Sequence, residues 1–320
     1  LGTALVVAAC TGTPADEANT ESKLTSASCR ETRLPWDIGP SHVGLSRGGD
    51  EYLSRGPQAV AVGPAGEIFV LDTENGRVLE VGKGVVVDHL GRDVEALAIG
   101  ADGAIAVYSP LMSTAFVFDR QGAPAGSVAI DRSLRETVGI SLGQSRQLIV
   151  HNAYQETVSA GSPSAPVSLA TMLSGKREGA FLLPDGAGIA VRATTAPASV
   201  ANLVSPRAEL LVVTNPVGRR STVRATFPIP GAANAAMLVG LSGTTACMRV
   251  EQVAQPSDRI EVSRRAVCMD ATNGRVLADI ALAKPEPYMP AHELAFAGST
   301  LAILQPTADA LVVRTCEVSR

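Results

Sequence analysis

The sequence predicts an all-β chain folded as a six-bladed β-propeller, with a strand from near the N-terminal end completing the last blade. Three observations carry that prediction. Short strand patterns with small–large alternation recur at roughly regular spacing from residue 57 onward. Gly and Pro are abundant, at 30 and 20 residues, which favours many turns over long helices. The last repeated unit is one strand short, and a strand-like stretch near the N-terminal end is free to supply it. Two packed sheets of similar short strands would be the alternative.

The first unit shows the pattern most fully. Ala59-Val60-Ala61-Val62 alternates small and large, and Gly63-Pro64-Ala65-Gly66 makes a turn. Ile68-Phe69-Val70-Leu71-Asp72 is the next strand, and Asn75-Gly76 gives the strongest short hairpin signal before Arg77-Val78-Leu79-Glu80-Val81. Val85 to Asp88 ends a four-stranded unit. The second unit starts at Glu95, and its turn glycine, Gly103, lies 37 residues after Gly66. Further units start near Gly139, Ala180, Ala236 and Glu293; the fourth and fifth carry insertions around Thr195–Pro206 and Gln252–Asp258, expected in hairpin loops. Asn75-Gly76-Arg77-Val78-Leu79 recurs as Asn273 to Leu277, an offset of 198 residues or about five units of ~40 residues. By the strand count these copies fall in units one and five, so the second copy is expected at a different turn of its blade or displaced by insertions.

On this reading the small residues Ala59, Ala61, Ala96, Ala98, Gly139 and Ser141 line a narrow channel, and their large neighbours pack between blades. The strand that closes the ring is Ser28 to Leu34. It would set Cys29 beside Cys316, and a disulfide there would lock the ring. Cys247 and Cys268 flank the polar stretch from Gln252 and form the second pair. Four separate buried thiols are the alternative.

Composition limits the function classes. The chain is 46% hydrophobic and 18% charged, with a net charge of -4, so it can build a core and carries no basic block for nucleic-acid binding. Aromatic residues are 3% with one Trp, too few for an extended stacking platform. There is no H-E-x-x-H, C-x-x-C, phosphate-binding loop or Gly-x-Ser-x-Gly elbow. No metal site and no cofactor are expected. Asp72, Asp102, Asp119 and Asp185 sit where turn hydrogen bonds would occupy them. One constellation stands out as a ligand site. Gln58, Glu95 and His292 fall at equivalent positions of inner strands in blades one, two and six, which adjoin in a closed ring, so one sector of the channel mouth would be polar. Trp36, just after the closing strand, is expected to cover a propeller face; a docking surface is the alternative.

Two resemblances add to this. Val7-Ala8-Ala9-Cys10 resembles the bacterial lipobox, with Val in place of the usual Leu. It implies that residues 1–10 end a signal peptide, that Cys10 is lipidated, and that residues 11–28 tether a domain spanning 29–320. Thr11 in place of the inner-membrane retention Asp implies the outer membrane. The stretch Gly56 to Val81, with its Gly-Pro-x-Gly turn, strand-ending Asp72 and Asn-x-Arg-Val, resembles the NHL repeat of six-bladed propellers; the likeness is partial over Glu95 to Asp119. That resemblance implies architecture more than activity. The expected protein is an envelope-anchored binding or scaffold module. Its partners would be the membrane through its lipid, and an envelope protein or small ligand, with no nucleic acid. A propeller hydrolase or lyase acting at the channel mouth, and a pocketless subunit of an envelope assembly, are the alternatives.

Overall fold

The structure is a computed structural model. It describes residues 28–49, 53–131, 134, 137–152, 155–174, 176–179, 181–183, 185, 187–194, 207–214, 222–254 and 260–319. Six antiparallel sheets surround an axis, as the repeats predict. The chain enters through β1 (Cys29–Pro35) and then builds the blades in order. Blade one is β2 (Ala59–Val62), β3 (Ile68–Asp72), β4 (Arg77–Glu80) and β5 (Gly84–Val87). Blade two is β6 (Ala96–Ile99), β7 (Ile105–Ser109), β8 (Thr114–Phe118) and β9 (Pro124–Ala129). Blade three is β10 (Thr137–Leu142), β11 (Leu148–Asn152), β12 (Glu156–Ser162) and β13 (Ala165–Pro166). A short helix, α1 (Leu169–Ser174), follows it, and β14 (Arg177–Glu178) pairs back onto β12.

Blade four is β15 (Phe181–Leu182), β16 (Gly188–Thr194), β17 (Arg207–Val213) and β18 (Val223–Pro228). Blade five is β19 (Ala235–Ser242), β20 (Thr245–Ala254), β21 (Glu261–Asp270) and β22 (Val276–Leu282). Blade six is β23 (Leu294–Ala297), β24 (Thr300–Pro306) and β25 (Ala310–Glu317), with β1 as its outermost strand.

The closing register sets Cys29 opposite Cys316 and Pro35 opposite Ala310. Cys29 and Cys316 are joined by a disulfide, and so are Cys247 and Cys268, which face each other across β20 and β21. Gln252 to Ala254 belong to β20 and are not loop; the rest of that insertion, like Thr195–Pro206, Ala180 and Cys10, lies outside the described residues. The two Asn-Gly-Arg-Val-Leu copies occupy different turns. The first joins strands two and three of blade one, and the second joins strands three and four of blade five. Their offset is therefore not a blade period.

As expected, small inner-strand residues (Ala61, Ala96, Ala98, Gly139, Ser141) line the channel. The small face also packs on the large face of the next blade. Ala59 and Ala61 join a cluster with Leu97 and Ile105 of blade two. Ala96 and Ala98 meet Ile140 and Leu148 of blade three. Val60 and Val62 pack on Ala302 and Leu304 of blade six, beside Ala295 and Ala297. Small against large lets twisted sheets interdigitate near the axis at native density.

The NHL-like residues of blade one anchor the β1–β2 connection. Asp72 is fully buried; its carboxylate accepts from the Gly44 amide at 2.9 Å, Asn75 Nδ2 at 2.8 Å and Arg77 Nε at 2.9 Å. Arg77 then donates to the Gly39 and His42 carbonyls at 2.8 and 2.9 Å. Trp36 covers the seam between blades six and one. Its Nε1 donates to the Thr307 carbonyl at 3.0 Å, and its ring meets Tyr288 edge-on at 6.3 Å. Asp102, Asp119 and Asp185 accept backbone amides in their turns as expected. Among the described residues, no helix is long and apolar enough to cross a membrane.

The two disulfides differ in the loop they close, 287 against 21 residues of separation. On the chain-entropy scale, replacing Cys29 and Cys316 with Ala costs about 5 kcal/mol, and replacing Cys247 and Cys268 about 3 kcal/mol. Urea unfolding of the two double variants checks the order. An equal or reversed loss would show that ring closure does not depend on the first cystine.

Candidate functional site

The six inner strands enclose a channel whose cavity is about 590 Å³. Most of its wall is aliphatic, from Val60, Leu97, Ile140, Leu238, Val239 and Leu294 among others. At the end where the inner strands begin, polar side chains reach it from blades three, five and six: His151, Asn152, Gln155, Arg249, His292 and Glu293.

The charged part of this cluster is built around Glu293, the residue before β23. The equivalent positions in the other described inner strands hold Ala59, Ala96, Gly139 and Ala236. Glu293 is only 3% exposed. Both its oxygens accept from Arg264 Nη1 at 2.8 Å, and Arg249 Nη1 lies 3.6 Å away. Arg264, itself buried, also donates to the Ala283 carbonyl at 2.8 Å. Arg249 is tied to Glu251 at 3.2 Å. Two guanidinium groups and two carboxylates thus offset each other. A buried charge demands such partners, because desolvation costs several kcal/mol per ion. Arg249 is the more open of the two cations, with 17% side-chain exposure against 7%.

His292 precedes Glu293 and reaches over the axis. A Cβ placed on Gly139 in blade three would lie 3.9 Å from its Cε1. Enclosure by the channel wall, followed by the nearby Arg249 cation, pushes the His292 imidazole down to about 4. It is therefore neutral at pH 7. On blade three, His151 Nε2 lies 2.9 Å from Ser141 Oγ, and its ring stacks on Phe181 of blade four at 4.8 Å. The Asn152 and Gln155 amides are engaged locally. Asn152 bonds the Glu156 side chain and amide, and Gln155 bridges to the Val191 backbone at 2.5 and 2.6 Å.

Of the three ligand candidates read from the sequence, the structure brings two together and one into the channel. His292 lines the cavity. Gln58 lies against His292, but its side chain serves the seam between blades six and one. Its Nε2 donates to the Gly56 carbonyl at 2.9 Å, and its Oε1 accepts from the Ala291 amide at 3.2 Å. Glu95 is exposed and outside the cavity lining. The inner-strand starts alone did not reveal the cluster because its arginines and His151 sit on second and third strands of their blades, one register step away. Glu293 was the readable signal, a carboxylate where the other described blades carry Ala or Gly. Among the described residues, no group of three His, Cys, Asp or Glu side chains is placed to hold a metal ion.

Glu293→Gln leaves Arg264 buried without its charge partner and lowers unfolding free energy by about 3–5 kcal/mol. Chemical denaturation checks this, and a loss under 1 kcal/mol would remove the pair from the structural account. His292 has a folded value of about 4, below the 6.5 of the free side chain. The unfolded chain therefore takes up the proton first as pH falls. Stability is fully present above pH ~6.5 and is lost towards pH ~4, by at most about 3 kcal/mol, less where water enters the channel. His292→Gln flattens that part of the pH profile of the melting temperature.

Residues 55–80, which span the first three strands of blade one, match the NHL repeat family model. No curated protein sequence matches the chain. Among solved structures, the chain is similar to a streptogramin B lyase at 10% identity and a TM-score of 0.46, covering 90% of this chain and 98% of that one. A catalytically inactive virginiamycin B lyase from Staphylococcus aureus with quinupristin gives 10% identity and 0.46, over 90% and 99% of the two chains. The WD40 repeats of RRP9 give 11% identity and 0.45, over 85% and 96%. The similarity to the NHL repeat thus lies within blade one.

Proposed function

We propose that this protein is an exported, lipid-anchored binding module whose central channel takes a small amphipathic molecule. The observation that carries the reading is the channel itself: a cavity of about 590 Å³, aliphatic along most of its wall and polar at one end. That division suits a ligand with an apolar body and a polar or anionic head, because apolar walls contribute burial while a few polar groups fix orientation. Arg249 is the cation placed to meet such a head. Strand pairing and a disulfide close the ring around the cavity, which favours a preformed site with little ordering cost on binding.

The lipobox-like Val7-Ala8-Ala9-Cys10 and the polar stretch after it support export and anchoring by Cys10, with the outer membrane as destination. The two cystines accord with an oxidising compartment. One acyl-bearing cysteine and a tether would hold the ring at the envelope surface while leaving its channel open to solvent.

Two measurements test this. The fluorescent amphiphile 1-anilinonaphthalene-8-sulfonate is expected to bind the folded ring one to one, and Arg249→Gln to weaken it at least tenfold. Multiple weak sites insensitive to Arg249 would overturn the channel as the binding site. In a bacterial host, with a complete signal peptide in front, the chain is expected to incorporate an alkyne fatty acid, and Cys10→Ser to lose it. Equal labelling of both would overturn the anchor.

A further inference from the structure

We propose that Ser141 is a nucleophile, activated by His151, that gives the channel an ester-cleaving activity. The proposal rests on the channel being the ligand site and adds chemistry to it. Ser141 is the third residue of Gly139-Ile140-Ser141 on the inner strand of blade three and lines the cavity, partly exposed. Its Oγ lies 2.9 Å from His151 Nε2, within the hydrogen-bond reach required of a nucleophile and its base. His151 is not a loose surface group. It is only 7% exposed, it pairs with Gly139 across β10 and β11, and Phe181 stacks on its ring at 4.8 Å. A buried base packed beside its nucleophile is the arrangement this chemistry needs.

The opposite wall carries the candidate donors for a developing oxyanion. His292 reaches across to the same stretch of blade three, its Cε1 3.9 Å from the Cβ position of Gly139. Arg249 lines the cavity from blade five. Both carry N–H donors, and donors already held in place stabilise developing negative charge without having to reorganise. The aliphatic wall suits the acyl chain of the substrate. The expected substrate class is thus a small ester with an apolar acyl group.

The step balances without any cofactor. Ser141 Oγ attacks the ester carbonyl carbon and forms a C–O bond, and its proton passes to His151 Nε2. The tetrahedral adduct collapses, the bond to the alkoxy group breaks, and that group leaves as the alcohol with the proton from His151. Water then attacks the acyl-Ser141 ester and gives its proton to His151. Collapse releases the carboxylic acid, and the proton returns to Ser141.

The test uses purified protein, diisopropyl fluorophosphate as the trapping reagent and p-nitrophenyl butyrate as the substrate. Ser141→Ala is expected to fold, because Ala61 and Ala98 hold the same position in blades one and two. Wild type is expected to gain one label, mapped to Ser141 by mass spectrometry, and to hydrolyse the ester. Ser141→Ala should lose the label and at least 100-fold in hydrolysis rate. His151→Gln should slow labelling at least tenfold with Ser141 intact. No label, a label on another residue, or hydrolysis that survives Ser141→Ala overturns the nucleophile. Fluorescence of the anilinonaphthalene probe on the same samples reports channel binding separately, so loss of this inference is distinguishable from loss of the binding module.

Discussion

Ring closure is the constraint on which the rest of this structure depends. A propeller blade has two faces, each needing a neighbour, and an open row of six would leave one face of the first and one of the last in water. The chain solves this by giving its first strand to its last blade. β1 runs antiparallel to β25 along its whole length, and the Cys29–Cys316 bond joins the two ends covalently. Blade one then packs Val60 and Val62 on Ala302 and Leu304, so the last interface is the same kind of small–large fit as the others. The Asp72–Arg77 pair fastens the connection from β1 to β2 over this seam through Gly39, His42 and Gly44.

Blade packing also explains why a charged cluster survives near the axis. Glu293, just before β23, meets Arg249 on β20 and Arg264 on β21, and the packing of blade six on blade five holds them at 2.8 to 3.6 Å. Once held, they neutralise each other and leave the polar end of the channel with fixed hydrogen-bonding groups. The aliphatic remainder of the wall comes from the inner-strand residues that fill the gaps between blades. The same packing therefore builds the core and shapes the cavity.

The architecture was legible because it is written locally. Turn glycines and Asn-Gly hairpins mark the strands, the missing strand of the last unit points to the N-terminal stretch, and Cys29 and Cys316 fall on the strands that closure brings together. The site was legible in part. His292 could be found because inner-strand starts converge on the axis in any propeller. Gln58 and Glu95 were drawn in by the same rule, yet one bonds the seam and the other faces solvent. A position near the axis does not say which way a side chain turns, and that depends on the neighbouring blade.

The sequence by itself determined the repeated four-stranded unit, the order of the blades and the closing strand, since each follows from strand period, turn chemistry or chain position; it proposed the cystine pairs, which the structure joins. Tertiary structure alone decided that Asn273 to Leu277 occupies a different turn from its twin. It also decided that small inner-strand faces meet large ones of the next blade, that Ser141, His151 and Arg249 line one cavity, and that Arg264 pairs with Glu293 beside it. The physical reason is distance along the chain. These contacts join residues tens to hundreds of positions apart, and only the closed ring sets which of them touch.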